Sequence, residues 1–443
     1  MACAVLAIQN NSKPGAHPHA LVRVLTIGVR KIVGYPLKGI KRQFLQTKDS
    51  EFCFVDVKKL ISLLPDDLLS ELALETNINR YSKKLQAELI FKLLLHSILS
   101  FKDNSLRTMA SAYESTGFAL LNAGLKSAHI SYSSISERLS SIDPLYFEKL
   151  YIKSLETFGP LLPSTKTQSL IRFDSTIVAL SSKLLKVGYH LKGGDAQHLH
   201  QLKFTVGYSN LPVAVHFFSD QTHNSENVAL KEAVLAFEPD NNKQVRVFDR
   251  GITARKTYDE FIEKNIPFIS RINVKCKRKL FCANSIQQPL ETETLSIHND
   301  SWVYLFTEKA RAEHPIRYIE ATRKESGESI SFVTSMKDLQ ASEITMLYKH
   351  RWDIEVFFKF LKQELNFGHL INRSENGIKI MLYSTLIAAI LLLVYKELNR
   401  LKGYKIMKQK FVDNLERALL EDFVLMCGGK PELVELYLKS PPS

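Results

Sequence analysis

Three acidic side chains stand where a carboxylate is costly unless something cationic meets it. Asp174 interrupts the apolar run Leu170–Leu180, and Asp249 closes the run Val245–Phe248 directly before Arg250 and Gly251. A carboxylate in or at the end of a buried strand needs compensation, by a metal ion or, more plainly, by a salt bridge or a strand-end cap. The third, Glu355, lies in YKHRWDIEVFFKFLKQEL, residues 348–365, which lacks Pro and Gly and reads as one continuous helix. On such a helix Tyr348, Arg351, Glu355 and Lys362 share one stripe about 60° wide, at the border of the face formed by Leu347, Ile354, Phe358, Leu361 and Leu365. That placement aims a carboxylate and two cations into the edge of a buried interface. The plainer alternative is a solvated flank with Arg351 and Glu355 as an i,i+4 ion pair.

The elements that must position these residues follow from periodicity. Residues 55–158 carry apolar positions three and four apart, as in LISLLPDDLLSELAL and KLQAELIFKLLLHSIL, and read as a helical unit. Two short amphipathic helices, at 101–114 and 133–141, end it. SYSSISERL could be the reading helix of a helix-turn-helix, but about 18 residues separate the pair, against the ~3–4-residue turn of that motif. Residues 169–273 read as three strands, a helix (224–237), a strand, a helix (253–264) and a strand, an α/β layer structure. Residues 274–337 read as a β-rich insertion with strands at SWVYLFT, IRYIEAT and ISFVTS. Helices resume in 338–402, which holds Glu355, and continue through the tail 403–443.

The chain has 443 residues and a formal charge of +13, enough length for two or three structural units and enough positive charge to favour a polyanionic partner. The charge is uneven. Residues 1–48 hold eight basic side chains and no acid, so the other 395 carry only +5. This basic extension reads as a transit peptide, a DNA-contacting arm, or upstream sequence translated from an early start codon. Five scattered cysteines without a CxxC pair argue against a disulfide framework and a zinc ribbon, and fit a reducing cytoplasm. The longest uncharged stretch, residues 380–395, is shorter than the ~20 residues that span a bilayer and reads as a buried core helix.

The spacing Tyr348-x2-Arg351-x3-Glu355-x6-Lys362 resembles the signature of the DDE transposases of bacterial insertion sequences, in the group called IS-four. The first Asp in FDST (Asp174), the second in FDRG (Asp249), the β-rich segment between Asp249 and Glu355, and HNSENVALKEA after the third strand are similar as well. The resemblance covers roughly residues 55–400. It implies an α/β fold with a ribonuclease-H-like core, a mixed sheet with helices, preceded by an all-helical DNA-binding domain and followed by C-terminal helices. It also implies that Asp174, Asp249 and Glu355 converge to hold two divalent metal ions, Mg²⁺ with Mn²⁺ able to substitute. Arg351 and Lys362 would hold phosphates, and Tyr348 would stack or hydrogen-bond beside them. The implied activity is cut-and-paste transposition: cleavage at terminal inverted repeats and strand transfer into target DNA. The partners would be double-stranded DNA and a second copy of the chain in the end-paired complex, in a bacterial cytoplasm. Carboxylate oxygens suit hard cations, so the residues agree with this reading.

Other constellations are weaker. Arg250 and the run Arg271, Lys275, Lys277, Arg278 and Lys279 read as DNA-backbone contacts or as a solvated loop. His190, His198, His200 and His223 fit no standard zinc spacing. A catalytically inactive end-binding protein that represses transposition is the competing function. An aspartyl phosphotransferase built on FDST is disfavoured, because Thr176 stands where a second Asp is wanted.

Overall fold

The computed structural model describes residues 55–434 apart from 83, 103, 123–128, 163–169, 181–188, 191–199, 239–243, 285–288, 309 and 433. The basic extension 1–48 therefore lies outside the described residues, as do His198 and the end of the tail.

Among the described residues the helices α1 (Val57–Ile61), α2 (Asp66–Glu75), α3 (Ala87–Ser100), α4 (Leu106–Tyr113), α5 (Thr116–Leu121), α6 (Tyr132–Ser141) and α7 (Leu145–Phe158) precede the sheet. Side-chain caps set several starts, since Asp56, Ser105, Ser115 and Ser131 each accept a backbone N–H of the first turn. The two helices expected at 101–114 and 133–141 are α4 and α6, and α5 lies between them.

The sheet follows, with strands β1 (Leu170–Leu180), β2 (Tyr189–His190), β3 (His200–Tyr208), β4 (Pro212–Phe218), β5 (Val245–Phe248), β6 (Phe268–Ile272), β7 (Arg278–Ala283), β8 (Leu290–Glu291), β9 (Leu295–Leu305), β10 (Ile316–Arg323) and β11 (Ser329–Thr334). Helix α8 (Glu226–Ala236) joins β4 to β5, and α9 (Arg255–Glu263) joins β5 to β6. The core order is β4-β3-β1-β5-β6. The first three strands are antiparallel, and β1, β5 and β6 run parallel. The strands of 274–337 do not form a separate layer. β11 pairs with β6, and β10, β9 and β7 extend the same sheet outward.

Among the described residues the helices α10 (Ala341–Lys349), α11 (Trp352–Glu364), α12 (Glu375–Leu398) and α13 (Tyr404–Met426) follow the sheet. Residues 348–365 are thus not the single helix that their composition predicts. The backbone N–H groups of His350 and Arg351 turn back to Leu347 and Tyr348, and Asp353 and Ile354 bond to His350 and Arg351, all at i−3 spacing. The carbonyl of His350 also accepts from Nε of Arg172 at 3.0 Å, so a buried guanidinium from β1 competes for the helix ladder and bends it.

One sheet face is covered by α8 and α9, through Phe173, Ala233, Val234, Phe248 and Phe261. The other face carries α10 over β5 and β6, through Val247, Ile269, Ile344 and Tyr348. Helix α11 covers β1 and β3 on that same face, and its core continues into the N-terminal helices. Helix α12 forms the axis of that union. Residues 380–395 are buried throughout it, as the uncharged stretch predicts, and 94% of its most apolar window lies inside the protein. At its start Gly377 allows a close approach, because a Cβ there would come within 2.4 Å of Asn372, whose amide bonds to the carbonyl of Ser136 on α6. The N-terminal helical unit and the C-terminal helices are therefore stitched together directly.

Candidate active site

β1 and α11 run side by side, and alternate residues of the strand meet the start of the helix and its last turn. Arg172 pairs with Asp353 at 2.9 Å, Asp174 lies 3.9 Å from Nη1 of Arg351, and Thr176 accepts from Nζ of Lys362 at 2.6 Å. The period of two along the strand explains why these three residues share a face. On the helix, Arg351 also pairs with Glu355 one turn on, so a single guanidinium binds both acids.

The second aspartate arrives by strand register. Phe248, the last residue of β5, sits opposite Phe173 of β1, which brings Asp249 beside Asp174 at the exit of the parallel pair. Its Oδ1 accepts from the Tyr348 hydroxyl at 3.1 Å. Tyr348 itself is buried, edge-on to Phe332 with 5.1 Å between ring centres. Burial, with the Asp249 charge adding to it, pushes the phenol well above its ordinary range, so it stays protonated and donates. Its ring is occupied by protein packing rather than offered for stacking on a base.

The surroundings of Asp174 perturb its carboxyl. Burial pushes its carboxyl up to about 6, the Ser175 backbone N–H and Arg351 pull the other way, and the charges of Glu226 and Glu355 raise it further. Among the described residues no three carboxylate, imidazole or thiol groups lie close enough together to form a metal cluster. Arg351 stands between Asp174 and Glu355 instead. The donors nevertheless suit a hard divalent cation. They are carboxylate oxygens, and Asp174 is desolvated beside further negative charge that a cation would offset.

The remaining candidates divide. Arg250 is exposed immediately after Asp249, and the basic run leaves β6 at the same end of the parallel strands. Lys275 and Lys279 are exposed, and Lys277 is exposed in a 3.0 Å pair with Glu308. Arg278 is different: half-buried, it lies 4.2 Å from the centre of the Tyr318 ring and pairs with Glu320 at 3.2 Å. It is engaged inside the protein. Of the four histidines weighed for zinc, only His223 has a described side chain. It is buried with its ring nitrogens 2.6 Å from Asp220 and 2.8 Å from Glu232.

Two residues at the site were assigned no role of their own in the sequence reading, although Glu226 lies within the segment HNSENVALKEA. Glu226 opens α8, where an acid reads as an ordinary helix N-terminal residue. Lys203 sits in β3 with only 2% of its surface exposed and pairs with Glu226 at 2.7 Å. A lysine inside an apolar strand was the available signal.

Residues 166–391, about half of the chain, match the family described as Transposase DDE domain. The chain is 31% identical over 152 residues to a protein of Geobacillus stearothermophilus named as a probable transposase for insertion sequence element IS5377, covering 34% of this chain and 39% of that one. It is 26% identical over 176 residues to a protein of Sinorhizobium fredii named as a transposase, covering 40% and 48%. It is 26% identical over 221 residues to one of Synechocystis named as a transposase for insertion sequence element IS4SA, covering 49% and 58%. The matched stretches thus span about two fifths to three fifths of these relatives.

Proposed function

The chain belongs to the DDE transposase domain family, and from that premise we propose that it is a cut-and-paste DNA transposase. It would cleave DNA at the terminal inverted repeats of its own insertion sequence and transfer the freed strand into target DNA. The observation that carries the proposal is that Asp174 and Glu355 share Arg351 as their partner, while Asp249, which follows the β5 residue opposite Phe173, accepts from Tyr348.

In this reading the three acids hold two divalent ions, Mg²⁺ or Mn²⁺, which when bound activate the attacking oxygen and stabilise the departing 3′ oxygen of a phosphodiester. The protein's own residues do the positioning. Tyr348 fixes the rotamer of Asp249 by donating to it. Arg351 balances Asp174 and Glu355 and places a cation where a scissile phosphate would sit. Lys362, exposed on α11, offers a second phosphate contact, and Arg250, Lys275, Lys277 and Lys279 extend the track for the DNA backbone. Arg278, part-exposed and engaged with Glu320 and Tyr318, would contribute less to that track than its neighbours. A second copy of the chain would hold the second element end, and the protein would act at the bacterial nucleoid.

The test uses duplex DNA copied from the sequences that flank the gene. Asp174→Ala, Asp249→Ala and Glu355→Ala are each expected to abolish Mg²⁺-dependent cleavage while binding of the same duplex stays near wild type. Full cleavage by any one of them overturns the assignment.

A further inference from the structure

Beyond the three acids, a fourth carboxylate reaches both aspartate-bearing segments. Glu226 is the first residue of α8, on the sheet face opposite α11. Its Oε2 accepts from the hydroxyl of Ser175, the residue after Asp174, at 3.3 Å. The same Ser175 hydroxyl lies 2.9 Å from that of Thr205 on β3. On its other side, a Cβ added to Gly251, two residues after Asp249, would come within 3.0 Å of the Glu226 Cβ. One side chain therefore packs against the chain just past each aspartate. Its second oxygen, Oε1, is held by Lys203, whose Nζ also donates to the carbonyl of Asn224 at 3.0 Å.

Energetics make this more than contact. Lys203 is almost wholly buried, and a buried ammonium persists only where a carboxylate and further acceptors meet it. Glu226, itself part-exposed, supplies that partner, so its carboxylate is held from the buried lysine end. Both carboxylate oxygens are already engaged, by Lys203 and by Ser175, which marks Glu226 as a group that positions others. Gly251 fits the same account. A Cβ there would require Glu226 or the turn after Asp249 to give by a few tenths of an ångström.

We propose that Glu226, anchored by Lys203, is a positioning residue for the active site, setting the spacing between the strand that carries Asp174 and the turn that follows Asp249. This rests on the transposase reading, so the experiment separates the two. The full-length protein is assayed with Mg²⁺ and flanking-sequence duplex, comparing Glu226→Gln, Lys203→Met, the double variant and Glu226→Asp, with Asp174→Ala alongside. Supporting residues around a metal-binding carboxylate typically change affinity or activity about 10–100-fold. Glu226→Gln is expected to lower the single-turnover cleavage rate within that range, with the duplex Kd unchanged. The double variant is expected to be no slower than the worse single one, because the two act as a unit. Glu226→Asp, which keeps the charge, should recover part of the rate. Mn²⁺ binding, counted by electron paramagnetic resonance, should keep its stoichiometry in Glu226→Gln. Wild-type cleavage by Glu226→Gln overturns the proposal, as do strictly additive losses in the double variant. A lost Mn²⁺ equivalent would overturn it in favour of direct metal ligation. Should Glu226→Gln not fold, Glu226→Asp and Gly251→Ala carry the test, and wild-type cleavage by both overturns it. Cleavage by Asp174→Ala would instead sink the transposase assignment itself.

Discussion

The hydroxyl of Tyr348 donates to Oδ1 of Asp249 at 3.1 Å, across 99 residues of sequence. Tyr348 is the last buried residue of α10, and its ring is clamped against Phe332. The bond therefore transmits the position of a packed helix to a carboxylate at a strand end. Tyr348→Phe keeps the packing and removes only the donor. It should slow cleavage about 10–100-fold, as loss of a supporting hydrogen bond to a metal-binding carboxylate does, and cost about 1 kcal/mol of stability. Single-turnover cleavage and urea unfolding measure the two effects, and an unchanged rate would remove Tyr348 from the site.

Arg172 decides where α10 ends and α11 begins. Its guanidinium occupies the His350 carbonyl and pairs with Asp353, so Arg351 and Glu355 start a new helix aimed at Asp174. Arg172→Met leaves the bend without its partner. We expect a loss of about 2 kcal/mol, in the range for hydrogen bonds to charged groups, together with slower cleavage and unaltered duplex affinity. Retention of the full cleavage rate would show that the bend does not position Arg351.

Lys362 and Arg278 are both basic residues expected to contact DNA, yet their surroundings differ. Lys362 is exposed with Thr176 as its partner, whereas Arg278 spends its charge on Glu320 and the face of Tyr318. Lys362→Ala should weaken binding to all duplexes alike and reduce the slope of log affinity against log salt by about 1. Arg278→Ala should leave that slope unchanged and cost about 1 kcal/mol, the scale of a cation–π contact with a half-exposed ion pair. Titrations at several salt concentrations distinguish the two, and a salt-slope change in Arg278→Ala would place it on the DNA.

Much of this architecture was legible because it rests on local periodicity. The apolar runs around Asp174 and Asp249, the helices that became α8 and α9, and the uncharged core of α12 all carry their own signals in sequence. What stayed hidden depends on partners far away in the chain. The break at His350 is made by Arg172, 178 residues earlier, and no propensity within 348–365 reports it. Reading those residues as one helix therefore placed Tyr348 on the same stripe as Arg351, when it belongs to a different helix and points into the core. Glu226 and Lys203 were masked for a related reason, since a helix-initial acid and a strand lysine look ordinary until they are seen to meet. The basic run after β6 was read as uniform, but strand pairing turns Arg278 toward Tyr318 and Glu320 while its neighbours face solvent.

Two histidines predict how stability responds to acid. His216 is buried in β4, and His96 sits among Phe101 and Phe118 with its Nδ1 lacking a hydrogen-bond partner among the described residues. Burial lowers both to about 4 from the ordinary 6.5. The folded protein thus keeps them neutral through a range where the unfolded chain protonates them. The unfolded state binds more protons between pH 6.5 and 4, so stability is full above that window and falls as the pH drops through it. Each histidine contributes a loss on the order of 2–3 kcal/mol by pH 4. Urea unfolding at pH 7.5, 6, 5 and 4 should show the decline. His216→Gln and His96→Gln, which cannot take up the proton, should each flatten it, at whatever cost in baseline stability the change in packing brings. A variant whose decline between pH 6.5 and 4 matches that of the wild type would show that its histidine is not the group taking up the proton.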